Sequence, residues 1–254
     1  VVATFGRGFY ILEDYTPLRN YKRDIVDKMK TAKAGESEKG AAEKGVAEKS
    51  PDKTTGHIFE IKDALLFTQT GGKYGQGSTY YAAKNPEFGA VFTYYLKDVP
   101  KTLKEIRKEK EKDLFKKGEP MPQPTVEELR AEENEIAPHL IFDISDENGN
   151  IIRQLYTSPS DGMSRQVWDL TYPGTRPLRK NNKFDPLRSN GSSIMVMPGT
   201  YNVTMSLYAG GETKQLAGPV AFKAKVLNNT TLPAADRKAL VDYQREVAEV
   251  SGKV

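Results

Sequence analysis

Between residues 139 and 226 the chain repeats one pattern, in which short runs of β-branched and aromatic residues are separated by turn residues. Alternating apolar and polar side chains from Tyr201 to Tyr208 predict a strand with one buried face. The turn signals are the pairs Asn148-Gly149, Asp161-Gly162 and Gly210-Gly211, with Asn148-Gly149 expected to supply two positive-φ positions. Six or seven short strands with regular turns predict a mainly β protein built as an antiparallel β-sandwich.

A β pattern also precedes this region, from His57 to Lys97. This pattern predicts three strands, at Ile58–Ile61, Ala64–Phe67 and Ala90–Leu96, and a later strand that contains Trp168 is predicted at Arg165–Leu170. A glycine-rich loop, Gly71–Gly77, separates the second from the third. A long polar loop is predicted from Tyr172 to Ser193.

Residues 100–138 are predicted to be a helical insertion between two neighbouring strands. Its first helix, Thr102–Lys117, places four apolar residues loosely on one face, namely Leu103, Ile106, Leu114 and Phe115. Three prolines then interrupt the helical pattern. Thr125 and Glu128 have the spacing of a capping box, which predicts a second, short helix.

The two ends of the chain are predicted to lie outside the sandwich. Two β-runs around Gly6-Arg7-Gly8 predict a hairpin within residues 1–19, and residues 20–57 read as a charged, flexible linker. The sandwich is expected at 58–228. Residues 229–254 begin a helix that should dock on the sandwich or fray, with one apolar side formed by Leu240, Tyr243, Val247 and Val250.

Composition narrows the functional classes. The chain has 254 residues, a net charge of +4 from interleaved acids and bases, and no cysteine. This distribution does not predict a nucleic-acid partner, and the absence of cysteine excludes disulfides, thiolate metal sites and a cysteine nucleophile. No apolar run approaches the length of a membrane span.

None of the candidate motifs predicts a cofactor, a metal or a catalytic set. The loop Gly71–Gly77 lacks P-loop spacing, and the acidic turn at Asp146 lacks the spacing of a calcium loop. The two histidines, His57 and His139, are expected to be structural or surface residues. The sequence alone therefore names no reaction, and whether the protein is an enzyme stays open.

Five residues are candidates for contact with a glycan or a partner: Tyr80, Tyr81, Trp168, Arg176 and Arg179. Trp168 could be a sugar-stacking platform, but an aromatic anchor in the core is the favoured interpretation. The tyrosines could equally be half-buried in a sheet. The basic loop that contains Arg176 and Arg179 is either solvated or faces an acidic partner.

Three segments resemble bacterial sortilin-like proteins, also described as VPS10-type or BNR-repeat "glycosyl hydrolase" proteins. They are VVATFGRGFYILEDYTPLR at residues 1–19, NPEFGAVFTYYL at 85–96 and LPAADRKALVDYQREV at 232–247. This resemblance implies that residues 1–19 are the last strands of a β-propeller blade. The D-x-x-G-x-I-x-R hairpin at 146–153, Trp168-Asp169 and the P-G-x-Y run at 198–201 resemble Ig-like or FnIII-like modules.

The resemblance implies a non-catalytic accessory or interaction module in a secreted or periplasmic propeller protein. Its partner would be the rest of its own propeller-containing chain or another protein, with a glycan as a further possibility. The alternative is part of a glycan-processing enzyme whose catalytic carboxylates lie on the propeller. Asp-box signatures are absent from the sequence, so the family's hydrolase label transfers to no residue here.

Overall fold

The computed structural model describes residues 2–4, 8–10, 14–27, 54–68, 86–174, 187, 191–227 and 236–253. The chain divides into two compact units, Val1–Glu48 and Lys49–Val254. The predicted glycine-rich loop and most of the polar loop after Tyr172 lie outside the described residues.

The first unit contains the predicted hairpin. Strand β1 (Val2–Thr4) pairs with β2 (Gly8–Tyr10) in antiparallel register. Helix α1 (Thr16–Tyr21) follows, with Pro17 in its first turn, and a π-helical segment continues over Lys22–Asp27. The first residues of the predicted linker are therefore helical, and Ile25 within them is buried.

The second unit is mainly β, as predicted. Its strands are β3 (Thr55–Ile58), β4 (Ala64–Leu66), β5 (Ala90–Lys97), β6 (His139–Ser145), β7 (Ile151–Thr157), β8 (Gly162–Trp168), β9 (Thr171–Pro173), β10 (Ser192–Met195), β11 (Gly199–Ala209) and β12 (Glu212–Val226). Its helices are α2 (Leu103–Lys117), α3 (Val126–Asn134) and α4 (Arg237–Lys253). Because β3 begins at Thr55, the predicted linker also ends too late.

These strands form two main sheets and one small ribbon. The larger sheet has the order β4-β12-β11-β6-β7, and the smaller has the order β3-β5-β8. All ladders are antiparallel except β4 with β12, which run parallel. Strands β9 and β10 pair with each other at the two ends of the predicted polar loop.

Aromatic side chains join the two main sheets. Phe92 of β5 is fully buried and lies 6.2 Å from Phe142 of β6 and 5.4 Å from Phe222 of β12, measured between ring centroids. On β11 the predicted alternation is confirmed except at Ser206, which is also buried. The apolar positions are buried, namely Tyr201, Val203, Met205 and Leu207. The core thus consists of the inner faces of both sheets.

Two hairpin turns lie where the sequence predicted them, but one has fewer positive-φ residues than expected. Gly210 and Gly211 both have positive φ (61° and 90°), which suits the tight hairpin between β11 and β12. In the turn between β6 and β7 only Gly149 has positive φ, at 82°, whereas two positions were predicted. The Asp146 carboxylate explains this, because it accepts the backbone N–H groups of Asn148 and Asn150 at 2.9 Å each.

Strand β8 ends two residues earlier than predicted. Leu170 has a φ of 56°, a left-handed conformation that a strand cannot contain. The backbone of Trp168 is approached closely by Gly89, where an added Cβ would lie 2.0 Å from the Trp168 carbonyl oxygen. Only glycine fits at that position, and it allows β5 and β8 to pair up to Trp168.

The helical insertion is present, and both Thr102 and Thr125 form capping boxes with Glu105 and Glu128. One detail of the prediction is wrong. The strands before and after it, β5 and β6, belong to different sheets and are not neighbours. No side chain of α2 is buried, and Phe115 is 72% exposed.

Tyr201 fastens the start of β11. Its hydroxyl donates to the Met197 carbonyl oxygen at 2.5 Å, its ring is buried, and burial raises the pKa of the hydroxyl. We expect Tyr201→Phe to lower the free energy of unfolding by about 0.5–1.5 kcal/mol, because the hydrogen bond to the half-buried Met197 carbonyl oxygen is lost.

Urea denaturation measures this effect. Tyr208→Phe is the control, on the same strand, and should change stability by less than about 0.5 kcal/mol. Equal losses in the two variants would contradict a special role for the Tyr201 hydroxyl.

Candidate interaction surfaces

Trp168 is part of the core. Its indole is fully buried, its N–H donates to the Thr171 carbonyl oxygen at 3.1 Å, and its ring lies 5.4 Å from the ring of Tyr201. This fits the core interpretation. The indole offers no exposed face on which a sugar could stack.

The other four candidate contact residues, Tyr80, Tyr81, Arg176 and Arg179, lie outside the described residues and stay predictions. Two neighbouring tyrosines on strand β5 are described. Tyr94 is buried and Tyr95 is half-buried on β5, as expected for tyrosines in a sheet.

The polar groups considered for metal binding have local partners. Asp146 also accepts the side-chain amide of Asn150 at 3.1 Å, and these hydrogen bonds lower the pKa of its carboxyl. Among the described residues no three His, Asp or Glu side chains come together as a metal site. His57 lies edge-on to Phe59, and His139 stacks on Tyr208.

A cleft of about 250 Å³, lined by both polar and apolar side chains, opens between the edges of the two sheets. Strand β7 ends the larger sheet and β8 ends the smaller one, and both line this cleft. The lining is formed by Arg153, Gln154, Leu155, Tyr156, Gln166, Val167, Asp169 and Leu187. We call it the edge cleft; it is the side of the two-sheet core that no further described strand closes.

Arg153 is the most buried charge at the edge cleft. Its Nη1 donates to the carbonyl oxygens of Tyr172 (3.1 Å) and Gly191 (2.6 Å), which fastens the β9–β10 ribbon to β7. Burial lowers the pKa of the guanidinium, and the nearby Asp169 carboxylate opposes that shift. Asp169 in turn accepts the Thr171 hydroxyl at 2.7 Å.

Helix α4 packs on the unit through its less apolar side. Val241 is 8% exposed, Gln244 and Ala248 are half-buried, and the Arg245 guanidinium lies 4.8 Å from the ring centroid of Tyr172. The sequence predicted docking or fraying, and the helix is docked against β10.

The apolar side of α4 that the sequence singled out faces solvent. The exposed fractions are 40% for Leu240, 65% for Tyr243, 49% for Val247 and 62% for Val250. We call these four residues the α4 stripe. Their spacing of three and four residues is that of one face of a helix that packs on another helix.

Helices α2 and α3 form an arm held together by charge. Arg107 of α2 donates from Nε and Nη2 to both carboxylate oxygens of Glu132 on α3, at 2.5 and 2.9 Å, and from Nη1 to Glu111. The pKa of Arg107 is raised by these carboxylates, and the pKa of Glu132 is lowered by Arg107. Beside this clamp lies an open groove of about 570 Å³ whose lining includes Leu103, Ile106 and Leu114.

Comparison of the chain with protein-family models, with curated proteins and with solved structures gave no match. No helix in the described ranges is both long and apolar enough to cross a membrane. The surfaces described above therefore have to be interpreted from their own chemistry.

Sequence reasoning missed the edge cleft and the side on which α4 docks. Arg153 stands in a run of strand residues without any pattern that marks it as buried. One signal for the docked side was available, since Arg237, Val241, Gln244, Ala248 and Gly252 also follow helical spacing. The α4 stripe is more apolar, and the sequence analysis therefore took it as the distinctive side of the helix.

The Arg107–Glu132 clamp makes the arm pH-dependent. Because the pKa of Glu132 is lower in the folded arm, the clamp stabilises the arm fully above the ordinary glutamate value of about 4.3 and is lost as the pH falls through the folded value. Spin labels at exposed Lys112 and Arg130 should therefore show a distance distribution that broadens as the pH falls through the lowered pKa of Glu132.

In Glu132→Gln the broad distribution should already be present at neutral pH. Glu133→Gln, an exposed neighbour, is the matched control and should behave like the wild type. A narrow distribution in Glu132→Gln at every pH would show that the clamp does not hold the arm together.

Proposed function

We propose that the second unit is an Ig-like β-sandwich. The strand order supports this: β3-β5-β8 corresponds to strands A-B-E, and β4-β12-β11-β6-β7 corresponds to A′-G-F-C-C′. The Tyr201 hydroxyl, which bonds to the backbone four residues upstream near the start of the strand that corresponds to F, is a further feature of such domains. The arm would then be an insertion between strands B and C.

The proposed function is that of a non-catalytic accessory module that docks onto a partner surface through helix α4. The α4 stripe is the observation that carries the proposal. The helix docks through Val241, yet Leu240, Tyr243, Val247 and Val250 are exposed to solvent. Exposed apolar patches of this kind mark interaction sites.

The proposed occupant of the stripe is a helix from the rest of a larger protein. A partner helix is favoured by the three- and four-residue spacing of the stripe. Four side chains offer too little area for a stable complex between separate molecules, which buries about 1,200–2,000 Å². Within one chain the high effective concentration offsets that small area.

The wider setting is proposed from the resemblance of residues 1–19, 85–96 and 232–247 to sortilin-like propeller proteins. The hairpin of β1 and β2 is compatible with the closing strands of a propeller blade, since an isolated hairpin is marginal in water. In that setting the module would brace the propeller, and the protein would be secreted or periplasmic.

Site-specific photo-crosslinking in the natural full-length protein tests this function. A benzophenone amino acid at Leu240 or Val247 should crosslink to a helical segment outside residues 1–254 of the same molecule. The same group at Glu249, which lies on a different side of α4, is the matched control and should not. Crosslinks confined to residues 1–254, or equal yields at Glu249, would overturn the proposal.

Stability provides a second readout in the 254-residue chain. Leu240→Glu should leave the helical signal at 222 nm unchanged, because Leu240 is not part of the docked side. Val241→Glu should reduce it, because it buries a charge and frees a helix too short to persist alone. An equal loss in both variants would mean that the stripe packs within this chain.

A further inference from the structure

We propose that the arm binds the arm of a second copy of this chain, so that the two arms form a four-helix bundle around their α2–α3 grooves. This site is separate from helix α4, and the inference does not depend on the function proposed for that helix. It follows from the open apolar groove, from the side of α2 that lies beside the core and from the opposite charges of the two helices.

The groove between α2 and α3 has an apolar lining that the arm itself leaves open. Leu103 is 45% exposed, and Ile106 and Leu114 are only half-buried. All the described residues that line the groove belong to the arm, and the apolar ones are Leu103, Ile106, Leu114, Pro122, Pro124 and Ala131. Two short helices bury such a surface by packing on further helices.

The opposite side of α2 lies beside the two-sheet core. There a separate cleft is lined by Glu105, Lys108 and Glu109 of α2 together with residues 159–161, which follow β7. At 3.6 residues per turn, these three charged residues are on the side of α2 opposite to the three apolar residues of the groove. The segment after β7 therefore lies behind α2 and leaves the groove side open.

The charges of the two helices select the occupant. Helix α2 contains seven Lys or Arg and four Asp or Glu residues, so its net charge is +3. Helix α3 contains one Arg and four Glu residues, so its net charge is −3. An acidic helix in the groove would be repelled by α3, and a basic helix would be repelled by α2. A second arm carries both charges, and a two-fold axis can place each α2 against the α3 of the other copy.

The charges also select the direction of that axis. An axis along the arms makes α2 of one copy face α3 of the other, whereas an axis across the arms makes helices of like charge face each other. With the axis along the arms, facing residues lie at the same height. Lys110 and Glu128 both line the groove about one helical turn beyond the Arg107–Glu132 clamp, towards the segment that joins the helices. Lys110 of each copy therefore faces Glu128 of the other.

Sedimentation velocity on the 254-residue chain tests the inference. Helix α3 is only about 14 Å long, so the contact is small and a weak, reversible dimer is expected between about 1 μM and about 1 mM. Added salt should weaken it. Leu103→Glu should abolish it, because a charge enters the apolar lining. Phe115→Glu, at a 72% exposed position outside that lining, is the control, and Leu240→Glu should leave the dimer intact.

Charge reversal identifies the facing helices. Lys110→Glu and Glu128→Lys should each weaken the homodimer about five- to thirtyfold, because two-fold symmetry repeats the exposed ion pair. An equimolar mixture of the two variants should regain the wild-type affinity, since opposite charges then face each other at both contacts. Lys112→Glu and Glu133→Lys, which reverse exposed charges outside the groove lining, should each stay within about twofold of the wild type.

A cysteine at Gln123 tests the direction of the arms. The natural sequence has no cysteine, so the introduced thiol is unique. Gln123 lines the groove on the segment that joins the two helices, where the proposed axis passes. Copper-phenanthroline oxidation of Gln123→Cys should give disulfide-linked dimers, whereas Lys112→Cys, outside the groove lining, should not.

Three results would overturn the inference. They are a chain that stays monomeric up to about 1 mM, a dimer that is lost in Leu240→Glu but kept in Leu103→Glu, and a mixture of Lys110→Glu with Glu128→Lys that associates no better than either variant alone. Failure of Gln123→Cys to crosslink would contradict arms that point the same way, and with them the pairing of α2 with α3.

Discussion

The contact between aromatic side chains of the two sheets is the interaction on which the rest of the structure depends. Phe92 of the smaller sheet packs against Phe142 and Phe222 of the larger one, and Trp168 packs against Tyr201 and Phe222 beside them. These rings are all nearly or completely buried. Because neither sheet can cover its own apolar face, each sheet is stable only while the other is in place.

Helices α2, α3 and α4 contribute little to that core. Neither α2 nor α3 buries a side chain, and α4 buries only Val241 among its large apolar residues. The arm relies on the Arg107–Glu132 clamp instead of apolar packing. The helices are thus attached to the two-sheet core and present surfaces, which is the physical basis of the interaction role proposed for this protein.

Local sequence signals predicted the features that depend on neighbouring residues. The capping boxes of Thr102 and Thr125, the Gly210-Gly211 hairpin and the alternation on β11 were all readable, because each involves residues only a few positions apart. The edge cleft was not readable, since it joins Arg153 of β7 to Gln166 of β8 across two sheets. The exposed α4 stripe was misjudged because periodicity identifies an apolar side without saying whether anything covers it.

Native-state hydrogen exchange tests most directly the claim that one two-sheet core supports separately attached helices. The amides of β6 and β11, which pair with each other at the centre of the larger sheet, should exchange slowest and only through global unfolding. The amides of α2, α3 and α4 should exchange through smaller openings, at free energies well below the global value. If the helices and the central strands exchanged with one common free energy, the helices would belong to the core and the account would be contradicted.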